Sequence, residues 1–180
     1  MRAQREFYGA AIVKLHEGSR MRVLVQRVTS ARVTVEDVEI SRIGHGLLLF
    51  VGIHRNDTEA EAEWLARKIA GLRVFEDDRG KMNRSLLESG GSVLSVPQFT
   101  LYGSCERGRR PDFTAAAPPE TARALFDCFC AKLVGQGLSN ATGAFQEHMH
   151  VSLVNDGPVT LWIAREKDCS FDSVNLNRER

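Results

Sequence analysis

Residues 46–53 read Gly46-Leu47-Leu48-Leu49-Phe50-Val51-Gly52-Ile53, and the pattern changes period soon after them. A short apolar run between glycines suits a strand buried on both faces. Beyond it, Thr58 and Glu61 stand at capping-box spacing, and Ala62, Leu65, Ile69 and Leu72 recur every three to four residues. That spacing predicts an amphipathic helix of about three to four turns. Arg67 and Lys68 lie near its negative end and Gly71 near its C-cap.

Working outward, Met21–Val28, Ala31–Val35 and Val38–Ile40 read as strands joined by polar turns, with Val33 and Val35 on one face. After the helix, Arg73–Phe75 is extended, Glu76–Gly80 is a turn, and Ser92–Leu101 is the next strand, entered through Gly90-Gly91. Gly103–Ala117 has no period and is expected to be a functional loop. Pro118-Pro119-Glu120 opens a second helix, with Ala122, Leu125, Phe126, Phe129 and Leu133 on one side and Gly135 at its end. His148–Val154 and Val159–Ala164 are expected as two strands around the turn Asn155-Asp156-Gly157-Pro158. Strands, helix, strands, helix, strands, without regular βαβ winding, predict an α+β (mixed α/β) fold. Mostly antiparallel sheets would form a sandwich or partial barrel with two main helices.

The chain has 180 residues and a net charge of +1. Its length fits one domain with a core that needs no disulfide or metal. The balance excludes a strongly basic binder and an acidic solvating chain, and leaves room for a local basic patch. The longest apolar stretch, Leu47–Val51, is far short of the ~18 residues of a membrane span, so no membrane partner is expected. Cys105, Cys128, Cys130 and Cys169 fit neither C-x-x-C nor a zinc knuckle. They are expected to be reduced and mostly buried, in a reducing, cytoplasmic setting. Residues 1–20 read as an N-terminal extension, 21–164 as the domain and 165–180 as a tail.

No P-loop, G-x-G-x-x-G, H-E-x-x-H or G-x-S-x-G is present. His148-x-His150 could set two imidazoles on one strand face, but no third ligand is suggested, so no metal or other cofactor is expected. In Pro97-Gln98-Phe99-Thr100-Leu101-Tyr102, strand alternation would put Gln98, Thr100 and Tyr102 on one face. An amide beside a hydroxyl can orient a polar substrate or offer a nucleophile; with no base at close spacing, a half-exposed strand is the plain alternative. Asn155-Asp156-Gly157-Pro158-Val159-Thr160 is built of turn formers with a Gly-Pro bond for which cis is plausible, or is a simple hairpin turn.

Taken together, Gln98-Phe99-Thr100-Leu101 and Asn155–Thr160 closely resemble the two signature motifs of the D-aminoacyl-tRNA deacylases. Val25–Val28, Leu72–Asp77, Gly80–Asn83, Gly108–Pro111 and Met149–Val154 resemble the family in the same order, so the likeness spans about Met21 to Ala164. It implies a homodimeric, metal-independent esterase that cleaves D-amino acids, and mischarged glycine, from the CCA end of tRNA and spares L-aminoacyl-tRNA. It implies a cis Gly157-Pro158 inserted into the partner subunit's site. It also implies an aminoacyl pocket lined by Gln98, Phe99 and Thr100, with Met149 nearby, Phe145 near the terminal adenine and Arg27 close to the Gly-Pro segment. Thr100 is the hydroxyl that could act as nucleophile. The reading preferred here has the ribose 2′-OH helping to activate water while backbone N–H groups hold the oxyanion, because an aminoacyl ester is already activated and needs positioning more than a strong base. Arg107, Arg109 and Arg110 could meet tRNA phosphates or form a solvated loop. DNA is not expected as a partner.

Three features depart from the pattern. Pro97 stands where most members have Ser, and a related deacylase acting on L-alanine mischarged to tRNA also has Pro there. Gln146-Glu147-His148 replaces a usual Gly-Ala-x. Residues 1–20 and 165–180 match nothing in the family. A relaxed, L-alanine-directed enzyme and a non-catalytic RNA-binding module are therefore the alternatives.

Overall fold

The apolar run becomes β3 (Gly46–Gly52), buried along almost its whole length at the centre of a mixed sheet. Around it, in the computed structural model that describes residues 19–166, the elements are β1 (Ser19–Val35), β2 (Val38–Ile43), α1 (Glu59–Ala70), β4 (Phe75–Glu76) and β5 (Met82–Arg84). They continue with α2 (Leu86–Ser89), β6 (Ser92–Pro97), a 3-10 turn (Phe99–Tyr102), α3 (Pro119–Gly135), β7 (Ser139–Thr142) and β8 (Met149–Glu166). Nearly all of the extension and the tail, with Cys169, lies outside the described residues.

The main sheet runs β2-β1-β3-β6-β7, with β8 also paired to β1, and β4-β5 form a small second sheet. Ladders from β1 to β2 and β3 are antiparallel, whereas β3–β6 and β6–β7 are parallel. β2 also comes close to β6 and β7, so the sheet curls into the partial barrel that the sequence predicts. Strand alternation splits β3 between two cores. Leu47, Leu49 and Val51 face α1 and α3, while Leu48 packs inside the curl with Val28, Val33, Leu94 and Val96. Gly46 is required by the close β3–β6 approach, since a Cβ there would lie 1.8 Å from the Ser92 carbonyl oxygen. Among the described residues no helix is long and apolar enough to cross a membrane.

The helix after β3 forms for the reasons read from its sequence. Thr58 and Glu61 complete a reciprocal capping box, and Arg67 and Lys68 occupy the last turn. A third, short helix, α2, carries its own capping box through Ser85 and Glu88 and ends on left-handed Gly90; the sequence reading passed over it.

Four local expectations change. Met21–Val28 and Ala31–Val35 are one strand. β1 pairs with β3 along Arg22–Val28 and with β2 along Ala31–Val35, so Thr29 and Ser30 mark a change of partner rather than a turn. The strand expected to reach Leu101 stops at Pro97, which has no N–H to continue a ladder. Leu101 N–H then donates to Gln98 O and Gly103 N–H to Thr100 O, tightening the chain. Gln98, Thr100 and Tyr102 therefore do not share a face: Tyr102 is buried and Thr100 exposed. Asn155–Pro158 is not a hairpin turn but lies inside the continuous strand β8. The cysteines are less buried than expected, with Cys105 exposed and Cys128 and Cys130 half-buried, all three free thiols.

Candidate active site

Where β6 gives way to the 3-10 turn, a cavity of about 290 Å³ opens beside it. Val51, Ile53, Val96 and Val151 from the sheet and Ala122 and Phe126 from α3 line it, together with Pro97, Gln98 and Phe99 and the segment Phe145–Met149. Its surroundings are largely apolar, with few polar groups, which suits orientation of a small ligand. Four of the expected residues, Gln98, Phe99, Phe145 and Met149, thus share one pocket.

The turn itself is held from both sides. Gln98 N–H donates to Val51 O (2.8 Å), and the Gln98 side-chain amide donates to the Thr100 hydroxyl. Phe99 is 58% exposed and packs edge-on against Phe113 of the following loop, ring centroids 5.2 Å apart. The first N–H groups of the turn, on Phe99 and Thr100, have no acceptor within it. No histidine or carboxylate is hydrogen-bonded to the Thr100 hydroxyl among the described residues. Tyr102, at the end of the turn, lies under the Arg22 guanidinium (4.3 Å), and burial, then the nearby Asp57 carboxylate, keeps its phenol protonated.

Met149 packs so closely on Gly143 that a Cβ there would lie 2.8 Å from its sulfur. Phe145 carries the Arg123 guanidinium over its ring at 4.6 Å. Gln146, where the family pattern has Gly, adopts φ +65°, a left-handed conformation that glycine takes without a Cβ penalty. His148 and His150 touch edge-on, centroids 5.1 Å apart. No group of three His, Cys, Asp or Glu side chains able to hold a metal occurs among the described residues.

Arg27, Gly157 and Pro158 form a second cluster and do not line the cavity. The Gly157-Pro158 bond is cis, as the sequence reading expected. Arg27 is buried and forks over the segment. It donates to Val74 O (2.5 Å), Asp156 O (3.2 Å) and Gly157 O (3.3 Å), and its Nε is 2.9 Å from the Asp156 carboxylate. Asn155 Nδ2 donates to Arg27 O and Val159 O, tying β8 to β1 beside Pro158, which has no N–H to give. Gly157 and Pro158 are exposed, and a Cβ on Gly157 would meet nothing within 4 Å.

Arg107, Arg109 and Arg110 sit exposed on a loop closed by paired Ser104 and Asp112, with Gly108 at φ +73°. Sequence reasoning missed Val51, Ala122 and Phe126 as pocket walls and Asn155 as a staple. The helical period marked one face of α3 as buried but gave no sign that a cavity opens against it.

Fold and site define a single α+β unit, residues 20–165, with a ligand-sized apolar pocket beside a 3-10 turn whose first N–H groups have no acceptor within it. The family model described as D-Tyr-tRNA(Tyr) deacylase matches residues 24–164, and the chain belongs to that family. It is 59% identical over 148 residues to a D-aminoacyl-tRNA deacylase of Desulfitobacterium hafniense (strain DSM 10664 / DCB-2), covering 82% of this chain and 99% of the relative. It is 54% identical over 147 residues to that of Thermotoga petrophila (strain ATCC BAA-488 / DSM 13995 / JCM 10881 / RKU-1), covering 82% and 99%. Among solved structures it resembles the c-Myc DNA Unwinding Element Binding Protein, with TM-score 0.76 and 39% identity over 81% of this chain and 99% of that one. A probable eukaryotic D-amino acid tRNA deacylase shares the fold at TM-score 0.70 and 19% identity, with the same coverage of both chains.

Proposed function

We propose that this chain is a D-aminoacyl-tRNA deacylase, a hydrolase that cleaves the ester between a D-amino acid and the terminal ribose of tRNA. Family membership and the two curated relatives support the reaction class. The observation that carries the chemistry is the turn at the cavity, where the Phe99 and Thr100 N–H groups are left without acceptors in the turn and Gln98 and Phe99 wall the pocket. Water attacks the carbonyl carbon, the C–O bond to the ribose breaks, and the ribose oxygen leaves with a proton. An oxyanion held by the two amides gains ~10²–10³ in rate per donor. The Thr100 hydroxyl already accepts from Gln98 and has no base hydrogen-bonded to it among the described residues, so it serves as a positioning group, and the ribose 2′-OH helps to activate the water.

Rejection of L substrates is assigned to Gly157-Pro158 of a second copy of the chain. Exposure of the segment, the free space at Gly157 and the Arg27 fork that fixes its carbonyls support this reading. A two-fold dimer lets each subunit donate and receive the same segment. The exposed Phe99, Val154 and Trp162 are the kind of apolar surface that such a dimer covers. A glycyl substrate has no side chain to clash, so mischarged glycyl-tRNA is cleaved as well. The domain is residues 21–164, and the protein acts in the cytoplasm without a metal, on tRNA rather than DNA.

The test is hydrolysis of matched D-, L- and glycyl-tRNA by the purified chain, with EDTA and with a DNA oligonucleotide as competitor. Release from D and glycyl substrates, unaffected by either addition, is expected. Equal D and L rates would remove the chiral reading. A preference for L-alanyl-tRNA would favour the reading tied to Pro97, and no release would leave an RNA-binding module. Loss of turnover in a folded Thr100→Ala variant would make the hydroxyl the nucleophile.

A further inference from the structure

The turn that follows Pro97 leaves the sheet, so a few hydrogen bonds set its position. Its start is held by Gln98 N–H on Val51 O (2.8 Å). Its end is held from another strand: Arg22 of β1 donates from Nη1 to Leu101 O at 2.9 Å, across 79 residues of sequence. A helical turn leaves its last carbonyls without partners, and a cationic side chain there satisfies one of them. The same guanidinium lies 4.3 Å from the centroid of the Tyr102 ring. Gly52, the direct cross-strand partner of Arg22 in the β1–β3 ladder, completes the seat. A Cβ on Gly52 would lie 3.1 Å from Leu101 Cβ and from Tyr102 Cε2, and 3.2 Å from Gln98 O, so the turn rests on bare backbone. Among the described residues no carboxylate lies within ion-pairing distance of Arg22, and its Nε is buried without a hydrogen-bond partner. Partly desolvating a guanidinium with no acid to offset it costs stability, so folding alone does not account for its placement.

We infer that Arg22 is a positioning residue for the hydrolysis: it caps the far end of the Gln98–Tyr102 turn and, with Gly52 beneath, fixes where the Phe99 and Thr100 N–H groups point. The inference rests on the deacylase reading, in which those two amides hold the oxyanion, and adds a residue of β1 that lies outside both signature motifs. Arg22 does not line the cavity and acts only through the Leu101 carbonyl. Donors aimed at a developing charge are effective when they are already in place and need no reorganisation during the reaction. A misplacement of about 1 Å can lower a rate on the order of 10²-fold. Without Arg22 the turn keeps its internal bonds, Leu101 N–H to Gln98 O and Gly103 N–H to Thr100 O, and its anchor at Val51, and is free to pivot about that anchor.

The experiment measures kcat and KM on D-aminoacyl-tRNA for wild type, Arg22→Met, Arg22→Gln and Arg22→Lys, and amide hydrogen exchange of each protein without substrate. Arg22→Met keeps most of the stem and loses every donor. Arg22→Gln keeps a polar end too short to reach Leu101 O, and it carries the readout where Arg22→Met does not fold. Both should lower kcat about 10- to 100-fold while KM stays within about twofold, the signature of an interaction that serves the transition state rather than substrate binding. Arg22→Lys, whose ammonium can still donate to one carbonyl, should recover most of kcat. Exchange of the Leu101 and Gly103 amides should quicken roughly tenfold in the two neutral variants, as loss of a charge-assisted hydrogen bond implies, with the β3 amides unchanged. An unchanged kcat in a folded neutral variant, or a rise in KM in place of the loss in kcat, overturns the inference. So does faster exchange spread evenly over β3 and the turn with no recovery in Arg22→Lys, which would make Arg22 an ordinary structural residue. A wild type that releases no D-amino acid would refute the deacylase reading instead, and exchange, read without substrate, would still decide whether Arg22 holds the turn.

Discussion

Arg27→Met is the sharpest probe of how the Gly157 segment is held. The change keeps much of the buried volume and removes every donor. The Val74 carbonyl, reached at 2.5 Å inside the fold, loses a charged partner, which costs about 1–3 kcal/mol. The carbonyls of Asp156 and Gly157 lie nearer to solvent and lose weaker bonds of 3.2 and 3.3 Å. The Asp156 carboxylate is 38% exposed and rehydrates, so its ion pair adds at most about 1 kcal/mol. The total is about 2–5 kcal/mol, within the 5–15 kcal/mol of a typical domain, so the variant stays folded at 25 °C. Urea unfolding should show this loss, and the ratio of D- to L-aminoacyl-tRNA hydrolysis should fall because the Gly157 carbonyl is no longer fixed. Arg27→Lys separates fork from charge: one ammonium cannot reach three carbonyls, so stability should recover in part while discrimination stays poor. Wild-type stability and discrimination in Arg27→Lys would refute the fork argument. A destabilised Arg27→Met with an unchanged D/L ratio would cut the link between Arg27 and selection.

Gly46→Ala should be far more damaging than its size suggests, costing more than about 4 kcal/mol in chemical denaturation, because the new methyl would sit 1.8 Å from the Ser92 carbonyl; a loss below about 1 kcal/mol would mean the strands are not that close. Gly157→Ala, with nothing within 4 Å in its own subunit, should unfold at the wild-type denaturant concentration yet lose D activity or admit L substrates, and unaltered kinetics would argue against a partner pocket at this residue. Burial pushes the Cys130 thiol up to about 11, so at pH 8 its thiolate is ~0.1% populated and should rise tenfold per pH unit. Peptide mapping after brief alkylation should find exposed Cys105 labelled first, and equal labelling of Cys130 would contradict its burial. Neutralising Arg107, Arg109 and Arg110 together should lower tRNA affinity and reduce the salt slope by about 0.7–0.9 for each phosphate no longer neutralised, whereas an unchanged slope would mark the loop as solvated surface.

Much of this protein can be read without its fold. The Gly46–Gly52 run, the Thr58–Glu61 capping box and the helix from Pro119 are local statements: period, cap and breaker act within a few residues, and the structure follows them. The Gln98–Leu101 and Asn155–Thr160 motifs were legible as strings, and with them the family. What those strings do in space was not. Pro97 could be seen, but that it would end β6 and turn Gln98–Tyr102 into a 3-10 turn depends on its place opposite Val51 in a parallel ladder. Asn155–Pro158 has turn composition, yet it runs within a strand, where Arg27, 129 and 130 residues away from its acceptors Asp156 and Gly157, and the Asn155 amide hold it by side-chain hydrogen bonds. Arg123 had two acids at helical spacing and took an aromatic ring from another segment instead. Short-range propensity is a property of neighbouring residues and is written in the chain. The choice of a hydrogen-bond or stacking partner is made among groups that only the tertiary structure brings together, and there an interaction of about two or three kcal/mol outweighs a local preference of a few tenths.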